Sequence, residues 1–270
     1  MKKRVIICGY PKSGNTWLTR LTAQILNCPV VGFWCQPFNK EEAIEGEERK
    51  SDYQCFKAHH TQELLQQTLN VYGNGTEKII YIYRDPRAVL VSASHYFSLQ
   101  PRYPQIRSIL TGLPLGLRLY YKYLHTHSYK LDVLMKGFVH GTEQGSWLQE
   151  PWSQHVKGYM TRNDILFISY ESLKENSLQI ANKISDFLSV ERSTEELEHA
   201  IEVQSFDKKK KKFEDEGKQK KASFLREGSI SAWKSELQLH HISYIEQNLA
   251  PIMHELGYTL ETNVKQDAPY

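Results

Sequence analysis

The sequence predicts an α/β protein: a single domain with a central, mainly parallel sheet flanked by helices and a P-loop-like turn. Three observations predict the architecture. Short apolar segments alternate with helical patterns along the chain. The clearest of them, "KIIYIY" at 78–83, is apolar throughout, as a central parallel strand covered on both faces should be. A glycine-bearing turn, "CGYPKSGNTW" at 8–17, joins the first apolar segment to the first helical pattern.

Residues 3–8 read as a short buried strand. Residues 16–27 read as a helix, with Leu18, Leu21 and Ile25 on one face. A strand is expected at 53–57. After strand 78–83, "DPRAVLVSASHYF" reads as a helix opened by Asp85 and Pro86. "DILFISY" (164–170) is another buried strand and "LQIANKISDFL" (178–188) a helix. Residues 99–145 carry turn signals and aromatics without a sheet strand, and read as an insertion or cap. Residues 207–221, "DKKKKKFEDEGKQKK", read as a mobile basic loop, or as one that orders over an anionic ligand. One domain over 1–270 accommodates all of this.

A net charge of +3 argues against a nucleic-acid partner but suits an anion held by a few local cations. Cys8, Cys28, Cys35 and Cys55 show no C-x-x-C spacing, so neither a zinc ribbon nor a disulfide framework is expected. They suit a reducing compartment. The apolar run after Lys2-Lys3-Arg4 is too short for a signal-peptide core or a membrane span, so a soluble, cytoplasmic protein is expected.

The loop at 9–16 has its lysine displaced. A nucleoside-triphosphate P-loop places lysine directly after the second glycine, where it reaches the terminal phosphates, with a hydroxyl for Mg²⁺ next. Here Asn15 follows Gly14, and the lysine is Lys12. A metal-free anion site fits better than a kinase or ATPase, which stays the runner-up. The third reading is a non-enzymatic nucleotide or polyanion binder using the 207–221 lysines. A second anion site follows strand 78–83. Arg84 stands at its carboxyl end, where ligands gather in open parallel sheets, and Ser92 lies eight residues on. They are about 12 Å apart along a helix, a gap that a long arginine closes for the most part.

These residues resemble the PAPS-dependent sulfotransferase family, where PAPS is 3′-phosphoadenosine-5′-phosphosulfate. "YPKSGNTW" (10–17) looks like its 5′-phosphosulfate loop and "YRDPRAVLVS" (83–92) like its 3′-phosphate motif. "FKAHH" (56–60) is similar to its K-x-H, "GSWLQEPWSQHVKGYM" (145–160) to its G-S-W…H-V-K-G-W element, and "FLREGSISAWK" (224–234) to its R-K-G-x-x-G-D-W-K segment. The matches run in family order over most of the chain.

The resemblance implies PAPS as donor, PAP (adenosine 3′,5′-bisphosphate) as product, and no metal. It assigns Lys12, Ser13, Gly14, Asn15 and Thr16 to the 5′-phosphate and sulfuryl group. Trp17 becomes an adenine platform, with Tyr170 and Phe206 near the same ring. Arg84, Ser92 and Arg226 take the 3′-phosphate, with backbone help at Gly228. His59 becomes the catalytic base and Lys57 a second cation at the transferring group; Lys12 and Ser92 complete the catalytic set. Where the family has R-K-G, this chain has Arg226-Glu227-Gly228 and loses one positive charge. His60 follows His59, so the base is one of the two, and the spacing from Lys57 favours His59.

The implied reaction moves a sulfuryl group to a hydroxyl or amine of a small-molecule acceptor. That acceptor is aromatic, lipid or a glycosylated natural product; Phe33, Trp34, Phe38, Tyr96, Phe97 and Tyr120–Tyr123 are candidates to line its pocket or to be core. Trp147 and Trp152 read as core or pocket lining, Tyr10 and Phe56 as packing. Oligomeric state is left open.

Overall fold

The structure is a computed structural model that describes residues 2–35, 44–97, 99, 101, 103–142, 148–205, 208, 211, 215 and 228–262. Strand β1 (Lys3–Cys8) buries Val5, Ile6, Ile7 and Cys8 completely, on both faces of the sheet. It pairs in parallel with β3 (Tyr53–Ala58) on one side and β4 (Lys78–Tyr83) on the other. β2 (Val30–Phe33) and β5 (Leu166–Ser169) form the edges, giving the order β2-β3-β1-β4-β5 with every pairing parallel. From β1 the chain moves first to one side of the sheet and later to the other. The carboxyl ends of β1, β3 and β4 therefore flank the crevice where open α/β sheets bind ligands.

Close contacts divide the chain into two compact units, one of Met1–Asp85 with Gln154–Ile230, the other of Pro86–Ser153 with Ser231–Tyr270. The first holds the whole sheet. Helix α1 (Asn15–Ile25) buries Leu18, Leu21 and Ile25 in a core shared with β1, β4 and the later helices of this unit. Its other helices are α2 (Gln62–Tyr72), most of α7 (Trp152–Met160), α8 (Tyr170–Glu175), α9 (Ser177–Leu188) and α10 (Thr194–Val203).

The regular elements among the described residues of the second unit are helices: α3 (Pro86–Tyr96), α4 (Pro104–Thr111), α5 (Gly116–Tyr123), α6 (His127–His140), the start of α7, α11 (Trp233–Glu236) and α12 (Leu239–Glu255). Residues 99–145 contain no sheet strand among those described, and they lie inside this unit. Its interior holds an ion pair. Arg87 donates to Glu246 at 2.7 Å, both side chains are buried, and the guanidinium lies 3.9 Å over the Trp233 ring. Glu246 also accepts from the backbone N–H groups of Glu261 and Thr262. Burial pushes its carboxyl up, but these donors outweigh that and hold it below the usual range.

The sequence reading assigns no helix to α4, α6, α7, α10, α11 or α12, and differs in further elements. It lacks β2, four residues interrupted by Gly32 at φ 116° and an irregular register, too short for a periodic signal. It lacks α2, which buries only Leu65 and so shows little apolar pattern. It also runs strand 164–170 one residue too far. The Ser169 hydroxyl accepts from the Ser172 N–H and caps α8, so Tyr170 opens a helix.

Candidate active site

The loop between β1 and α1 is shaped by three backbone positions. Gly9 packs against β4 so closely that a Cβ there would lie 2.3 Å from the Ile82 carbonyl oxygen. Lys12 has φ 73°, unusual for a side-chain-bearing residue, and Gly14 has φ 103°. Gly14 caps α1 without offering a side chain, and its carbonyl takes the N–H groups of Trp17 and Leu18. The N–H groups of Asn15 and Thr16 begin the helix, where the macrodipole favours an anion.

Asn15 is buried, and its amide donates to the carbonyls of Gly9 and Ala58, both at 3.1 Å. The residue in the usual lysine position is thus a clamp between the loop and β3. Lys57 donates to the Thr16 hydroxyl at 2.9 Å and lies 4.7 Å over the Phe33 ring. Its hydrogen bond leaves the Thr16 O–H to be donated onward.

Arg84 leaves β4 buried. Its guanidinium lies 4.1 Å over the Tyr170 ring and donates to the carbonyls of Lys12 (3.4 Å) and Ser229 (3.0 Å). Tyr170 donates its hydroxyl to the Gly228 carbonyl at 2.9 Å and meets Trp17 edge-on at 5.8 Å. Lys12, Ser13, Gly14, Thr16, Trp17, Lys57, Arg84, Tyr170 and Gly228 therefore gather around one loop. Phe206, Arg226 and Glu227 lie outside the described residues, as do Phe38 and Trp147. Ser92 is half-buried on α3, in the second unit.

The loop is charged in a way that asks for an anion. Burial, then the charges of Lys57 and Arg84, lower the Lys12 pKa to about 7. Burial and the charge of Arg20 lower Lys57 to about 8. The Ser13 hydroxyl and Arg84 Nε are buried without a hydrogen-bond partner among the described residues. Donors of this kind and number fit phosphate and sulfonate oxygens.

His59 and His60 separate by environment. His59 Nδ1 lies 2.7 Å from the Gly9 carbonyl. A carbonyl only accepts, so Nδ1 carries the proton and Nε2 the lone pair. Burial, then the charge of Lys57, lower the His59 pKa to about 3, so the ring is neutral. Two residues one turn apart on α7 hold the backbone here. His155 Nε2 donates to the His59 carbonyl at 3.4 Å while its Nδ1 accepts from Tyr81, and Tyr159 donates to the His60 carbonyl at 2.9 Å. His155 is buried and neutral, its pKa lowered to about 4 by burial. Cys8 lies in the same network, 3.1 Å from the Tyr159 hydroxyl, with its thiol pushed up to about 12 by burial.

Sequence reading placed His155 within a motif but gave it no task, and left Tyr81 and Tyr159 aside. Their alternation and i, i+4 spacing signal burial, not hydrogen bonding, so only the fold reveals the network. Tyr10 and Phe56 are buried packing residues, as expected, and Trp152 is buried beside Phe138. Trp34 is core: it is buried, meets Phe56 edge-on and donates to Thr68. Phe33 instead stands 5.9 Å from the His59 ring.

Comparison with known proteins bears on what this loop serves. The family model for the sulfotransferase domain matches residues 2–257. An amine sulfotransferase of Oryctolagus cuniculus is 27% identical over 90% of this chain and 76% of its own length. A 3-beta-hydroxysteroid sulfotransferase of Cavia porcellus is 25% identical over 87% of this chain and 76% of its own. Among solved structures, a mouse sulfotransferase complexed with PAP superposes with a TM-score of 0.65 at 19% identity, covering 95% of this chain and 87% of that one. A retinol dehydratase in complex with androsterone and PAP gives 0.59 at 17% identity over 99% and 82%. With a parallel sheet and a displaced-lysine loop already in place, the domain match over nearly its whole length shows that the chain belongs to the sulfotransferase family, whose members draw the sulfuryl group from PAPS.

Proposed function

We propose that this protein transfers the sulfuryl group of PAPS to a hydroxyl or amine of a small-molecule acceptor, with His59 Nε2 as the general base. PAPS supplies an activated sulfur; its bond to the phosphate oxygen breaks as the bond to the acceptor forms, and PAP leaves. The chain's residues position and neutralise. Ser13, the Thr16 hydroxyl and the first N–H groups of α1 hold the 5′-phosphosulfate. Lys12 offsets charge gathering on the leaving phosphate, and Lys57 faces the sulfonate. Arg84 and Arg226 take the 3′-phosphate, and Trp17, Tyr170 and Phe206 the adenine; Ser92 keeps the 3′-phosphate assignment its sequence motif gives it. The acceptor proton passes to His59 Nε2 as the new bond forms.

The observation that carries this reading is the 2.7 Å contact of His59 Nδ1 with the Gly9 carbonyl. It fixes the tautomer a base needs and ties that base to the anion loop. The kinase reading is disfavoured by the same loop, where Asn15 spends its amide on two carbonyls. Phe33, the aromatic ring next to the base, supports an acceptor with an apolar body, and the matched relatives are described as amine and hydroxysteroid sulfotransferases.

The test is His59→Ala assayed with labelled PAPS and, separately, for PAP binding by thermal shift. Turnover is expected to fall by at least about a hundredfold, the low end for removing a general base, with PAP stabilisation retained. Near-normal turnover would remove His59 from the mechanism.

A further inference from the structure

From Pro86 to Leu131 the sequence has no acidic residue, while Arg102, Arg107, Arg118, Lys122 and Lys130 are spread through its later part. The same stretch is unusually apolar on its outside. Of the 15 large apolar side chains exposed among the described residues, nine fall between Tyr103 and Tyr123. Helix α4 buries no residue, and α5 buries only Gly116 and Tyr120. Ile109 and Leu115 are each 69% exposed. The two helices form one tight hairpin: a Cβ on Gly116 would lie 2.0 Å from the Leu110 carbonyl, and the Gly116 N–H donates to Leu113.

Helices of a soluble protein turn their apolar side inward, and exposed apolar side chains concentrated on one hairpin mark an interaction surface. What covers it follows from its charge. A second copy would press two cationic, acid-free surfaces together, which repulsion opposes. An anionic lipid leaflet satisfies both halves of the pattern. Leucine and isoleucine enter the headgroup–acyl boundary, tyrosine rings sit at that depth, and Arg118 and Lys122 meet the headgroups.

We propose that the α4–α5 hairpin is a docking surface for an anionic lipid bilayer. Contact is peripheral, since no helix among the described residues is long and apolar enough to cross a membrane. This inference stands apart from the catalytic reading, because it uses no residue of the loop or of the base.

The experiment is flotation of the full chain with vesicles of phosphatidylcholine alone or with phosphatidylserine added, over a salt series. Each basic side chain at an anionic leaflet is worth about fivefold in binding, so Arg107, Arg118 and Lys122 together predict a preference of roughly a hundredfold for the anionic vesicles. That preference should shrink as salt rises. The double variant Ile109→Glu, Leu119→Glu changes two exposed positions and should stop floating while keeping its circular dichroism spectrum. Sedimentation velocity on the lipid-free wild type should give a monomer. Failure of the wild type to float with anionic vesicles would overturn the proposal, as would equal flotation with both lipids. A dimer that the double variant dissociates would assign the surface to a second copy instead.

Discussion

Lys12 is a cation held where cations are disfavoured, and that has a measurable consequence. Its pKa of about 7 and that of about 8 for Lys57 describe the loop without an anion. A bound phosphate favours the charged forms and raises both values. Below pH 7 both groups are already protonated and PAP binds at full strength. As pH rises through 7 and 8, each must take up a proton on binding. Affinity for PAP is therefore expected to fall by up to about tenfold per pH unit for each lysine. Calorimetry at pH 8.5 in buffers of differing protonation heat should record proton uptake; none would show that the anion is held elsewhere. His59 behaves oppositely. Its lowered pKa keeps the neutral, proton-accepting form in the free enzyme far below the ordinary histidine range. The pH profile of kcat/KM should accordingly lack an acid limb near pH 6.5. At this scale the sequence singled out Lys12 and Arg84 by their place after strands, and the histidine pair through the family resemblance. It did not show that Asn15 is a clamp or that His59 is pinned through Nδ1, because both depend on carbonyls brought in by the sheet.

At the scale of elements, the carboxyl end of β3 is held by α7. Tyr159 and His155 give one donor each to two successive carbonyls, so His59 and His60 stand on a braced segment. Tyr159→Phe removes one donor and leaves the His60 carbonyl with the weaker Cys8 thiol. A loss of about 1–3 kcal/mol in unfolding free energy is expected, the cost of an unsatisfied buried acceptor. If the brace positions His59, kcat falls more than KM rises; a variant with lower stability but unchanged kcat would confine Tyr159 to the fold. Gly14→Ala should be worse, since its Cβ would lie 2.6 Å from the Tyr170 ring at a φ that only glycine adopts readily. The strands were legible where they were apolar throughout, and β4 was placed residue for residue. β2 and α2 escaped because an edge strand of four residues and a helix that buries one side chain carry almost no pattern.

For the whole molecule, two residues within the family-like motifs turn out to support the helical unit. Arg87 and Trp233 meet in the buried arrangement with Glu246, while Arg84, three positions before Arg87, faces the loop. Glu246→Gln leaves a buried guanidinium short of its counter-charge. It is expected to cost about 3–5 kcal/mol, since breaking one side of a buried pair strands the other. Denaturant unfolding measures this, and a change below 1 kcal/mol would mean that the pair is solvated. α/β class, parallel sheet and family were thus legible from the motifs. The division into two compact units was not, because the second is assembled from two segments far apart in sequence, Pro86–Ser153 and Ser231–Tyr270.

The Gly9 carbonyl receives both the Asn15 amide and the His59 ring. No codon specifies a backbone oxygen, so no side-chain replacement deletes it. A substitution can alter what flanks the loop while the acceptor that fixes the histidine's tautomer stays in place. What selection must keep at position 9 is only the absence of a Cβ.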